Sequence, residues 1–140
     1  MKKILIIEDD FYIRYLYKQS FMNASYEVDE AADGDEGLNL FKTKDFDLIL
    51  LDIMLPIVNG LDVLRIIRSI ASPKSKIPVF VMTNLGSGNE TNEAMKIGAN
   101  KCILKANYEP HQLVKEVDDY LLSKSTTNAS SQTTSSQSGA

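Results

Sequence analysis

Leu48-Ile49-Leu50-Leu51 runs without interruption into Asp52, and Pro56 follows four residues later. A continuous apolar run of this length, closed by a turn former, reads as a strand buried on both faces. It needs cover above and below, so it constrains the chain more than any other stretch does. It also places Asp52 at the carboxyl end of a central strand, the edge where ligands bind in open α/β sheets. An aspartate in that position can equally cap the following loop or helix, and this stretch alone leaves both readings open.

The remainder of the chain alternates between two periods. Ile4–Ile7 is a second aliphatic run, ending in Glu8-Asp9-Asp10. Ile13, Leu16, Tyr17 and Phe21 then recur at helical spacing over Phe11 to Ala24, with Asp9 or Asp10 available as cap. Tyr26 to Ala31 alternates and predicts a strand nearer the sheet edge. Asp33-Gly34 is a turn signal, and a helix is expected from Gly37 to Lys44. After the central strand, Phe46 to Leu51, Pro56 and Asn59-Gly60 mark a loop, and Leu61 to Ile70 is an apolar helix that stops before Ser72-Pro73. Ile77 to Met82 is a fourth buried strand ending in Thr83. Gly86-Ser87-Gly88 is a loop, and a helix follows from about Glu90 to Ile97, terminated by Gly98. Lys101 to Leu104 is a short fifth strand ending in Lys105. Pro110 opens a last helix carrying Leu113, Val114, Val117, Tyr120 and Leu121. From Ser123 no large apolar side chain remains, so residues 123–140 are expected to be a disordered Ser/Thr-rich tail or linker, and residues 1–122 the folded domain.

Length and charge narrow the class. The chain has 140 residues, which suits one domain with a short appendage. A net charge of -4 gives no nucleic-acid footprint. Cys102 is the single cysteine, which rules out an internal disulfide and disfavours a cysteine zinc site. The apolar run after Met1-Lys2-Lys3 is too short for a secretory signal, and no stretch approaches the ~20 residues of a membrane span. The cytoplasm is the expected compartment.

Five strands alternating with five helices predict a parallel sheet covered on both faces. Right-handed crossovers put the loops after the strands on one edge. Glu8 with Asp9, Asp52, Thr83 and Lys105 should therefore converge. Carboxylates packed together repel unless a cation joins them, and hard oxygen ligands favour Mg²⁺. A lysine can pair with a phosphoryl oxygen, and a carboxylate can act as a covalent nucleophile. Phosphoryl transfer needs mainly positioning and charge neutralisation, so the set fits an aspartate that accepts a phosphoryl group.

The ordered set resembles the receiver domain of two-component response regulators, of the chemotaxis-protein-like fold. The features are the acid cluster after the first strand, Asp52 with Pro56 and Gly60 behind it, Thr83, Lys105, and Arg14 in the first helix. The resemblance covers residues 1–122. It implies a flavodoxin-like, doubly wound five-stranded sheet of order 2-1-3-4-5. It implies Asp52 as phosphoacceptor, and a Mg²⁺ site formed by Glu8, Asp9, Asp52 and the backbone carbonyl of Met54, with Asp9 as the more direct of the acidic pair. It implies Thr83 as a switch hydroxyl and Lys105 as the phosphate-binding cation, in a signalling domain that catalyses only its own phosphorylation and dephosphorylation. The implied partners are a sensor histidine kinase or histidine phosphotransfer protein and a downstream effector of unknown identity. Asp10 matches no required position and reads as a helix-start residue.

The chain departs from that pattern in places. Ala106 replaces the proline after the lysine, and a cis bond before a non-proline residue costs ~2.5–4 kcal/mol, so a trans, reshaped loop is expected. Cys102 stands where an aromatic ring is usual, so the output surface is expected to signal differently. Asn84 replaces a common alanine. Met54 and Leu85 are apolar and are expected to crowd an attacking water and prolong a phosphoryl group. His111 is expected at the surface. Gly86-Ser87-Gly88-Asn89-Glu90-Thr91 lacks the third glycine of a dinucleotide loop and follows the wrong strand. Two other functions compete with the phosphoaccepting one. One is a pseudo-receiver that works as a phosphate-independent interaction domain. The other is an aspartyl phosphatase, which wants a second aspartate where Met54 stands.

Overall fold

The structure is a computed structural model that describes residues 1–84 and 88–137, with residues 125–137 as backbone alone. The chain runs β1 (Lys3–Ile7), α1 (Phe11–Asn23), β2 (Glu27–Ala31), α2 (Gly34–Thr43), β3 (Leu48–Asp52), α3 (Gly60–Ser69), β4 (Val79–Thr83), α4 (Gly88–Ile97), β5 (Lys101–Leu104) and α5 (Pro110–Gln137). Short 3₁₀ turns at Pro73–Lys76 and Lys105–Asn107 flank β4 and β5. The five strands are all parallel, in the order β2-β1-β3-β4-β5. No helix among the described residues is long and apolar enough to cross a membrane.

Strand alternation divides the aliphatic runs between two cores. Leu5, Ile7, Ile49, Leu51, Val79 and Val81 face α2, α3 and α4, where Phe41, Val63, Leu64, Ile67 and Ala94 meet them. Ile4, Ile6, Leu48, Leu50, Phe80 and Met82 face α1 and α5, against Tyr17, Phe21, Leu113 and Val117. This is why the central strands carry no polar interior position.

Side-chain caps start the helices just beyond the strand ends. Asp10 accepts from the Ile13 N–H at 3.0 Å, Asp33 from Glu36 at 2.8 Å, and Asn59 from Asp62 at 3.1 Å. The Asp33 cap starts α2 at Gly34, three residues before its expected start, because Glu36 also reaches back to the Ala32 N–H. α4 ends at Gly98, whose φ of +125° suits glycine, with the Gly98 and Ala99 N–H groups both bonded to Ala94 O.

The backbone of α5 runs helical to Gln137. Leu113, Val117 and Leu121 anchor its first turns in the core, and an anchored helix propagates without a new nucleation step. Residues 138–140 lie outside the described residues.

The opposite, amino-terminal edge is tied by two basic side chains. The Arg68 guanidinium donates to the carbonyls of Gly98, Ser75 and Ile77 and to the Asn100 side chain. Lys74 donates to the carbonyls of Phe41 and Lys44 at the end of α2.

The β3–α3 loop shapes the other edge. Gly60 N–H donates to Ile53 O at 2.8 Å. A Cβ built at Gly60 would lie 2.2 Å from the Asp52 carbonyl oxygen and 2.6 Å from Ile53 Cα. Ile57 takes a φ of +69° while 90 % exposed, so a β-branched residue holds a left-handed conformation with no packing to offset it. Two expectations follow from chemical denaturation. Gly60→Ala lowers stability by about 3 kcal/mol, because backbone must move. Ile57→Asn raises it by about 1 kcal/mol by relieving the left-handed strain.

Candidate functional site

Among the described residues, the buried polar or charged ones are Glu8, Asp52 and Thr83, 2 %, 4 % and 4 % exposed. Each stands at the carboxyl end of a buried strand, so the aliphatic runs that build the sheet also carry these groups inward. Register fixes their levels: Asp52 pairs with Met82, and Thr83 with Leu104, the residue before Lys105.

Carboxylate oxygens of Glu8, Asp9 and Asp52 all lie within 4.8 Å of one another. Lys105, with its side chain 8 % exposed, places Nζ 2.6 Å from Glu8 Oε1 and 3.2 Å from Asp52 Oδ2. The Met54 N–H donates to Asp52 Oδ1 at 3.0 Å, and the Asp10 N–H to Glu8 Oε2 at 3.1 Å. The Glu8 N–H is itself held by Ala31 O at 3.0 Å.

Burial dominates the protonation of Glu8. Desolvation pushes the Glu8 carboxyl up to about 7; the Lys105 hydrogen bond opposes this, and the Asp52 charge adds to it. The Lys105 amine is also raised: burial alone would lower it, but the Glu8 and Asp52 carboxylates outweigh burial. One amine facing three carboxylates leaves the cluster negative. A small divalent cation fits that deficit, since the donors are hard oxygens on a half-open rim where water can complete the shell. Asp9 is exposed and supplies the open side.

Of the residues marked in the sequence, Glu8, Asp9, Asp52 and Lys105 meet in space, and Thr83 ends the neighbouring strand on the same edge. Met54 is 60 % exposed, and its N–H donates to Asp52 Oδ1. Asp10 caps α1, as expected of a helix-start residue. Lys105 opens a 3₁₀ turn, and no cis peptide bond occurs among the described residues. The half-buried Cys102 thiol points at Thr91 O, 3.8 Å away, and burial raises its pKa. His111 is exposed. Leu85, Gly86 and Ser87 lie outside the described residues.

Two further side chains reach the site. Arg14 donates to Glu8 O at 2.7 Å and to Glu30 Oε1 at 2.8 Å. In the sequence Arg14 carries only its place in the resemblance. Glu30 carries no signal beyond being an acid in an alternating strand.

The sequence matches the response regulator receiver domain family over residues 4–118. It is 37 % identical over 103 residues to a probable transcriptional regulatory protein, SilR, of Salmonella typhimurium, covering 74 % of this chain and 44 % of the relative. A probable transcriptional regulator, ycf27, of Cyanophora paradoxa is 31 % identical over 134 residues, covering 96 % and 53 %. The chain thus spans about half the length of these curated relatives. Among solved structures, a receiver domain protein from Methanospirillum hungatei superposes with a TM-score of 0.82 at 28 % identity, over 90 % of this chain and 98 % of that one. The chain belongs to the response regulator receiver domain family of two-component signalling.

Proposed function

We propose that this domain accepts a phosphoryl group on Asp52, with Mg²⁺ beside it, and relays the change to a protein-interaction face. The observation that carries the reading is the position of Asp52 between two kinds of partner. The Lys105 amine lies 3.2 Å from Oδ2, and the Glu8 and Asp9 carboxylates lie within 4.8 Å. A cation held by Glu8, Asp9, Asp52 and the Met54 carbonyl would neutralise phosphoryl oxygens during transfer.

An Asp52 carboxylate oxygen forms the new bond to phosphorus as the bond from phosphorus to the donor's leaving atom breaks, and that atom keeps the electron pair. Lys105 already pairs with Asp52 and turns its charge to a phosphoryl oxygen. Thr83 offers its hydroxyl to another. The donor is a sensor histidine kinase or a histidine phosphotransfer protein, acting in the cytoplasm, and α4, β5 and α5 form the output face. Residues 1–122 are the receiver unit, and residues 123–140 are a Ser/Thr-rich tail or linker. The relatives' names as transcriptional regulators suit such an effector, while the net charge of -4 leaves nucleic acid outside this domain's own reach. Apolar Met54, two residues after the acceptor, lengthens the phosphoryl lifetime, as does the apolar character of Leu85, which lies outside the described residues. Cys102 in place of an aromatic side chain favours a second reading, a phosphate-independent interaction domain.

Mass spectrometry after incubation with Mg²⁺ and a small phosphodonor separates the two readings. The parent protein gains the mass of one phosphoryl group, and Asp52→Asn gains none. No gain in the parent supports the interaction-domain reading. The charge on Glu8 gives a second expectation. Its carboxyl is raised from 4.5 to about 7 on folding, so the folded state holds this proton more tightly. The destabilisation is absent below pH 4.5, grows between 4.5 and 7, and is complete above 7. In chelator, denaturation at pH 8 therefore finds Glu8→Gln more stable than the parent by about 1–3 kcal/mol, and the gap closes toward pH 4.5. Mg²⁺ reverses the order, because the variant has lost a carboxylate.

A further inference from the structure

The acidic pair sits on a three-residue loop, residues 8–10, between β1 and α1. At its start, the Glu8 N–H bonds Ala31 O; at its end, Asp10 caps α1. Asp9 lies between these ties and is exposed. Arg14 supplies what is left. Its side chain is 12 % exposed, and Nη1 donates to Glu8 O at 2.7 Å with a longer contact of 3.5 Å to Asp9 O. Glu8 O belongs to the peptide plane before Asp9, and Asp9 O to the plane after it. Peptide groups are planar, so holding both planes fixes the two soft torsions of Asp9 and with them its Cα–Cβ direction.

The guanidinium is itself held. Nε donates to Glu30 Oε1 at 2.8 Å, and the other oxygen of Glu30 accepts from Lys18 at 2.6 Å. The Arg14 Cζ lies 5.6 Å from the centre of the Phe11 ring. Lys18, then Arg14, hold Glu30 below the usual carboxylate range, which keeps it ionised as an anchor.

We propose that Arg14, anchored by Glu30, is a positioning residue for the metal site: it clamps the carbonyls of Glu8 and Asp9 and so aims their carboxylates at Asp52. The proposal rests on the metal reading above. It makes a prediction opposite in sign to simple electrostatics. A cation near a cation site weakens metal binding, so deleting Arg14 tightens Mg²⁺ if charge is all it contributes. If it positions the ligands, deletion weakens Mg²⁺ despite removing a positive charge.

Calorimetric Mg²⁺ titrations of the full chain test this, with metal-free amide hydrogen exchange measured in parallel. Arg14→Met weakens Mg²⁺ about tenfold, the size typical of groups that orient metal ligands. Arg14→Lys recovers only part, since an ammonium lacks the planar fork that serves a carboxylate and a carbonyl together. Glu30→Gln weakens Mg²⁺ about threefold, and adding it to Arg14→Met costs nothing more, because Glu30 acts through Arg14. Exchange at the Glu8 and Asp10 amides, which bond Ala31 O and Glu8 Oε2, speeds up in Arg14→Met. Unchanged or tighter Mg²⁺ binding in Arg14→Met overturns the proposal, as does full additivity with Glu30→Gln. A parent that binds no Mg²⁺ defeats the metal reading itself. In that case faster exchange at the Glu8 and Asp10 amides in Arg14→Met still supports the clamp, and unchanged exchange overturns it.

Discussion

Burying two carboxylates and an amine at one sheet edge is the constraint on which the rest of this structure depends. Glu8 after β1, Asp52 on β3 and Lys105 after β5 are drawn out of water, and the amine and the two carboxylates are tolerable there because each sign faces the other. Their balance is incomplete, since Asp9 adds a further acid. That imbalance leaves a negative charge that a cation could offset, which a closed salt bridge would not. The aliphatic strands set the geometry: five parallel strands with one direction bring residues distant in sequence to one level.

The two edges of the sheet do different work with similar residue types. At the amino-terminal edge, Arg68 and Lys74 spend their donors on backbone carbonyls left over at helix and strand ends. Burial lowers the Arg68 pKa, and among the described residues its partners are carbonyls and the Asn100 amide. Such groups lock elements together. At the carboxyl edge, Lys105 faces the carboxylates of Glu8 and Asp52 instead of carbonyls. Arg14 stands between these roles, as it binds main-chain carbonyls like Arg68 but does so at the loop that carries Glu8 and Asp9.

The central architecture was legible because its signals are local. Uninterrupted runs such as Leu48–Leu51 mark buried strands, and Asp33, Asn59 and Gly98 mark helix ends by rules that act within four residues. The convergence of Glu8, Asp9, Asp52 and Lys105 was legible one step later, since parallel topology decides which ends meet. Side-chain ties across long sequence distance were not. Arg68 to Gly98 and Arg14 to Glu30 depend on where helices pack, and neither pair has a spacing rule. The early start of α2 was missed because Gly34 reads as a turn residue until Asp33 and Glu36 are seen to satisfy the first turn together.

Backbone amide NMR during a Mg²⁺ titration tests most directly whether the strand ends form one cation site. The account predicts saturable shifts concentrated at Glu8, Asp9, Asp10, Asp52, Ile53 and Met54, extending to Thr83 and Lys105, with the amino-terminal edge around Arg68 unmoved. Shifts spread over the surface acids, or none at the carboxyl edge, would contradict it.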